Sequence, residues 1–246
     1  MGNLLGEEES TVRRFPVLLL TASLLLLGLT AGGAMAGDIV TVPTANQLKA
    51  GEVDLAAYYI GVDNSSLIAP IRPIGIDYVR AQTLYVGVTD RVEIDAHRYD
   101  VNELGVETIW NATVVVQQED LSRPIVVVGG RDLSRAYGKA SYFVSAAKTL
   151  NPPVAGPPTE TIIRVHLSLG TEDNTLFAEE RHEGLFGGLQ VLFRPSNPAV
   201  GAIALYDGQD IITGVTFVPE PGWPTLKVGT FGGHWWVGIS QTFNTK

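Results

Sequence analysis

The sequence predicts an all-β fold, an antiparallel up-and-down transmembrane β-barrel of about twelve strands. Three observations lead there. Segments of roughly ten residues recur in which apolar side chains alternate with small, polar or charged ones. No sustained helical period follows residue 37, and the connections alternate between compact and long. Composition agrees: 14 Pro and 27 Gly among 246 residues supply many turns. A formal net charge of −9 argues against a nucleic-acid partner, which calls for a basic patch. With 0 Cys there are no disulfides, thiolate metal sites, Cys nucleophiles or lipidated N-terminal cysteine.

The first element in chain order is a leader. Arg13 and Arg14 precede "FPVLLLTASLLLLGLTAGGAMA", an apolar run that closes on small residues. Ala34-Met35-Ala36 fits the A-x-A cleavage pattern, so residues 1–36 read as a signal peptide and Gly37 as the first mature residue. The three glutamates of "MGNLLGEEESTV" oppose the usual positive start, and translation from Val12 would remove them. Residues 37–50 read as an extended lead-in, and 51–246 as the barrel.

The strands are expected at about 51–61, 82–89, 91–99, 108–117, 124–131, 139–149, 160–170, 185–195, 200–207, 209–218, 225–231 and 234–243. Their faces sort consistently. Leu84, Val86 and Val88 oppose Thr83, Tyr85 and Gly87, while Val92, Ile94 and Ala96 oppose Arg91, Glu93, Asp95 and His97. Trp110, Ala112, Val114 and Val116 oppose Asn111, Thr113, Val115 and Gln117; Ile163, Val165, Leu167 and Leu169 oppose Arg164, His166 and Ser168.

A soluble β-sandwich shows the same alternation. Strand lengths near the nine to eleven residues of a bilayer-crossing strand favour the barrel. So do the connections: "TDR", "EDLSR", "NPPVAGPPT", "PSNP" and "PEPGWP" are compact, whereas most of the other set is longer and polar. An even strand count puts both termini on the compact-turn side, which in an outer membrane is the periplasmic side.

The final strand, "HWWVGISQTF", places Trp235, Val237, Ile239 and Phe243 on one face, interrupted by Gln241. Val237, Ile239 and Phe243 resemble the C-terminal signal read by barrel-assembly machinery, although "NTK" follows the aromatic. Trp235 and Trp236 suit an aromatic girdle.

Several segments together resemble the YjbH-like outer-membrane β-barrel family, which is linked with exopolysaccharide production. They are the lead-in "VTVPTANQLKAGEVDLAAYY", the hairpin "RPIVVVGGRDLSRAYGKASYFVSAAKTL", and "IIRVHLSLG", "LFGGLQVLFRP" and "AIALYDGQDIITGVTFVP" in that order. The resemblance implies an outer-membrane location, an association with surface polysaccharide and no catalytic residues. Many relatives are much longer than this chain.

Candidate site residues follow from the polar faces. Asp54, Arg91, Glu93, Asp95, His97, Arg131, Arg164 and His166 are expected to line the lumen, either as a narrow pore or as a charge-paired filling. His166 and Ser168, two apart on one strand, match the spacing of barrel lipid hydrolases, but they share the lumen face rather than the lipid face. Glu93 and Asp95 have the same-face spacing of a retaining-glycosidase carboxylate pair, as any acidic strand face does. "GTEDN" and "YDGQD" lack the length and ligand order of a calcium loop, and "VVVGGRDL" has no following helix to make a phosphate loop. No cofactor and no enzymatic activity are therefore expected. The expected partners are outer-membrane lipid, the barrel-assembly machinery and surface polysaccharide.

Overall fold

A computed structural model of the chain describes residues 38–39, 42–61, 78–101, 105–150, 161–171, 182–193, 198–220 and 222–245. The leader 1–36 and parts of several connections lie outside the described residues. Among the described residues every regular element is a strand. A short hairpin pairs β1 (Asp38–Ile39) with β2 (Val42–Pro43). Twelve strands then follow: β3 (Glu52–Gly61), β4 (Tyr78–Thr89), β5 (Val92–Val101), β6 (Gly105–Gln117), β7 (Ile125–Arg131) and β8 (Ser141–Thr149). The second half comprises β9 (Ile162–Gly170), β10 (Gly184–Phe193), β11 (Ala199–Tyr206), β12 (Ile211–Val218), β13 (Thr225–Phe231) and β14 (His234–Asn244).

Each of these twelve pairs antiparallel with its sequence neighbours, and β14 returns to β3, from Trp236↔Ile60 to Asn244↔Glu52. The result is the predicted closed up-and-down barrel. Closure rules out the sandwich, whose two separate sheets would leave edges. The strands lie where the alternation placed them, with ends shifted by a few residues.

The turns have readable causes. Gly232 and Gly233, at φ 55° and 90°, join β13 to β14 in a two-residue hairpin that only left-handed residues fit easily. In "YDGQD" the Asp207 carboxylate accepts the amides of Gln209 and Asp210 at 3.0 and 2.7 Å, so this motif is turn chemistry. Asp132 organises the β7–β8 connection: its carboxylate accepts the amides of Ala136 and Tyr137 at 2.8 and 2.7 Å. The Asp that ends "VVVGGRD" thus has a local structural role.

The alternation sorts side chains as expected. Thr83, Tyr85, Glu93, Asp95, His97, Asn111, Thr113, His166 and Ser168 point inward and are buried. Their neighbours Leu84, Ile94, Trp110, Val114, Leu167 and Leu169 point outward, with Trp110 at 51%, Leu167 at 56% and Leu169 at 60% exposure. Gln241, the polar break in the outward face of β14, is buried beneath the β12–β13 turn and donates to Gly222 O at 2.8 Å.

One expectation is corrected here. Trp235 is exposed on the outer wall and stacks on Tyr59, which stacks on Tyr78, but Trp236 is fully buried inside the barrel. Strand parity puts adjacent tryptophans on opposite faces, so they cannot share a girdle.

Candidate functional site

The interior is the candidate site, and a polar row and an apolar cluster make up much of its lining. The polar row crosses the wall from β14 to β6. Pairing register lines up Thr242, Asp54, Tyr85, Asp95 and Asn111 as successive neighbours on β14, β3, β4, β5 and β6, all buried. Thr242 Oγ1 donates to Asp54 Oδ2 at 2.6 Å. Asp95 Oδ1 accepts from Asn111 Nδ2 and lies 2.7 Å from His97 Nε2. His97 Nδ1 is in turn 3.1 Å from the Tyr99 hydroxyl. Asn111 Oδ1 then accepts the Asp132 amide at 2.9 Å, tying the row to the β7–β8 connection. Charges out of water need such partners, because an unpaired buried ion is costly.

The aromatic side chains of the interior gather in an apolar cluster. Tyr58, Ile60, Val79, Phe143, Phe186, Phe231 and Trp236 belong to one packed cluster. Trp236 meets Tyr58 edge-on at 6.2 Å and donates its indole N–H to Thr213 O at 3.2 Å. Inward-facing glycines make room for these rings. A Cβ on Gly214 would come within 2.6 Å of Trp236, one on Gly238 within 2.4 Å of Tyr58, and one on Gly129 within 2.4 Å of Phe143.

Between these regions runs the lead-in. Val42, Pro43, Thr44, Ala45 and Leu48 are buried within the barrel. Val42 joins the aromatic cluster, and Ala45 packs with Val115, Ile125, Val127 and Ala147. Ser168 Oγ reaches Pro43 O at 3.5 Å, and the Leu48 amide donates to Glu93 Oε2 at 2.8 Å. The segment leaves at the compact-turn end, where Gly51 N donates to Gly87 O at 2.9 Å and Ala50 N to Asp90 Oδ1 at 3.1 Å. Gly87 is required there, since a Cβ would lie 2.0 Å from Lys49 O. An extended lead-in was expected; its course through the interior was not.

Of the predicted lining residues, Asp54, Glu93, Asp95, His97, Arg131 and His166 are buried and inward. Arg91 and Arg164 are corrected. Arg91 is exposed in the β4–β5 turn, one residue short of the strand whose parity it was assigned. Arg164 has inward parity but sits at the compact-turn rim, where its guanidinium donates to Glu119 Oε2 at 2.6 Å and Thr149 Oγ1 at 2.9 Å. Partial burial lifts the Glu119 carboxyl. The Thr149 amide and the Arg164 guanidinium outweigh that and hold it below its ordinary value. Asn111, placed on the polar face but not singled out, and Asp132, read as part of a hairpin, are the residues that tie the row together.

The catalytic alternatives find little support in this geometry. Ser168 Oγ donates to Ser145 Oγ at 2.8 Å, and both Ser168 and His166 are buried inward, away from the outer wall. Glu93 is engaged by the lead-in and Asp95 by His97 and Asn111, so neither carboxylate faces an open cleft. Among the described residues no group of three or more His, Asp or Glu is placed to hold a metal ion. Val237 is exposed on the outer wall, and Ile239 and Phe243, half-buried, share its parity. No family model matches the chain, and no curated protein matches it either.

Proposed function

We propose that this chain is an outer-membrane β-barrel with a filled interior, serving an envelope-structural role associated with surface polysaccharide. The outward face carries the reading. Fully burying one large apolar side chain is worth roughly 1.5–3 kcal/mol. Trp110, Leu167, Leu169, Leu185 and Trp235 are 51–60% exposed, so leaving just these five in water forfeits roughly half of that apiece, on the order of 5 kcal/mol and comparable to the stability of a marginal domain. Lipid is the surrounding that suits such a wall, and a closed ladder leaves no unpaired strand edge within it. Tyr59, Tyr142, Tyr206 and Trp235 stand toward the long-connection ends of their strands, as interfacial aromatics do.

The leader supports export, Val237, Ile239 and Phe243 support handling by the barrel-assembly machinery, and the YjbH-like resemblance supports the link with exopolysaccharide. The buried, mutually bonded interior supports a non-enzymatic role. Membrane fractionation tests the reading directly: the processed protein is expected in the outer-membrane fraction, released only by detergent and heat-modifiable on gels. A monomer that stays soluble in plain buffer overturns it.

A further inference from the structure

We propose that Arg80, Gln82 and Arg98, on the outer wall of β4 and β5, bind the phosphate-bearing headgroup of an outer-leaflet lipid. The inference rests on the membrane-spanning reading above. Its first support is where charge falls on the wall. Among the described strand residues, the charged ones of outward parity are Arg80, Arg98, Asp100 and Lys148. Lys148 sits at the compact-turn rim, bonded to the carbonyls of Asp120 and Arg123. The other three lie together, because Arg80 is the direct cross-strand partner of Asp100, and Gln82 of Arg98. Arg98 Nη1 donates to Gln82 Oε1 at 3.4 Å, and Arg80 Nη1 lies 3.8 Å from Asp100 Oδ2. Both contacts are long, and each guanidinium has five N–H donors, so donors remain for an anion. With Asp100 counted the patch is still net positive, whereas the whole chain carries −9. Bulk charge repels an anionic lipid, so attraction has to be local.

The second support is the level of the patch. Arg80 pairs directly with Tyr59 across β3–β4. Trp235, Tyr59 and Tyr78 form a stacked row, with centroid spacings of 5.2 and 5.9 Å. The Arg80 guanidinium lies 4.5 Å from the Tyr78 ring centroid, which orients it on the wall. Such aromatics mark the headgroup level of a bilayer. An arginine on the outer wall is destabilising in hydrocarbon, whereas at that level its fork matches phosphate oxygens.

The third support lies toward the membrane centre. The next outward residues are Leu84 on β4 and Ala96 on β5, and Leu84, Ala96 and Trp110 form one register row. A small residue between two large exposed ones leaves an apolar furrow directly below Arg98. A free phosphate would use the cations alone. A lipid uses the cations for its headgroup and the furrow for an acyl chain.

Native mass spectrometry of the detergent-purified full chain, with lipid A as the probe, tests this. The wild type is expected to hold lipid A about tenfold better than the same lipid stripped of its phosphates. Replacing both Arg80→Gln and Arg98→Gln should remove that preference. Ala96→Phe, which fills the furrow, should weaken binding a few fold, and Lys148→Gln should leave it unchanged. Millimolar inorganic phosphate should not displace the lipid.

Heat-modifiable mobility shows which variants are folded barrels. A folded double variant that keeps the preference, or an equal loss from Lys148→Gln, overturns the site. Displacement by inorganic phosphate, or full binding by Ala96→Phe, overturns its assignment to a lipid. Loss of dimers in place of lipid makes the patch an interface between copies and overturns it too. If the double variant does not fold, the wild-type comparison of the two lipids decides, and equal binding overturns the site. A chain found soluble without detergent defeats the membrane reading instead, whatever lipid it holds.

Discussion

Two regions of the barrel interior solve the same filling problem by different means. In the aromatic cluster, Trp236, Tyr58, Phe143 and Phe186 pack together and over inward glycines. In the polar row, Asp54, Asp95, His97 and Asn111 are satisfied by one another and by their neighbours, and beside it the lead-in donates the Leu48 amide to Glu93. The first arrangement gains from dispersion and burial. The second depends on hydrogen-bond geometry.

Substitutions can break or sharpen that contrast. The largest effect is expected from Trp236→Ala, which empties the centre of the aromatic cluster and should cost about 3–5 kcal/mol in urea unfolding from lipid vesicles. Asn111→Ala attacks the polar row. It strips a donor from Asp95 and an acceptor from the Asp132 amide, and should cost about 2–3 kcal/mol in the same assay. If the two losses came out reversed, the polar row would be the larger source of stability.

Gly214→Val tests packing from the opposite direction. Its Cβ would sit 2.6 Å from the Trp236 ring, so about 1–3 kcal/mol should be lost by overpacking. That loss should shrink in a Trp236→Ala background, where the ring is gone.

The smallest effect is expected from Glu119→Gln at the rim, below about 1 kcal/mol. Its sign follows from the depressed carboxyl. The folded value lies under the ordinary 4.5, so the wild-type advantage is present above that pH and fades as acid carries the group through its folded value. Unfolding midpoints of the two chains, compared at pH 7 and then below pH 4, should converge on acidification.

Period-2 patterning made the wall legible before any coordinates, because every strand must show one face to the interior and the other outward. Glu93, Asp95 and His97 on one side of β5, and Val92, Ile94 and Ala96 on the other, were fixed by parity alone. Parity says nothing about depth, however. Arg91 and Arg164 carry the correct alternation yet fall beyond or at the end of the strand, where water competes with the interior. Trp236 was misread because a girdle was inferred from aromatic composition, which overrode the parity of its position. The course of the lead-in through the interior was invisible for another reason: "VPTANQL" has no period, and long-range contacts, among them those with Glu93 and Ser168, give it a place.

The seam between β3 and β14 joins residues far apart in sequence, Asp54 and Thr242 lying 188 positions apart. Until Trp236 through Asn244 have been delivered, the strand that begins at Glu52 keeps a bare flank, and no shorter product can seal the ring. Closure therefore waits on β14. A nonsense codon ahead of Trp236 should yield open sheets suited to aggregation and proteolysis rather than a smaller working cylinder.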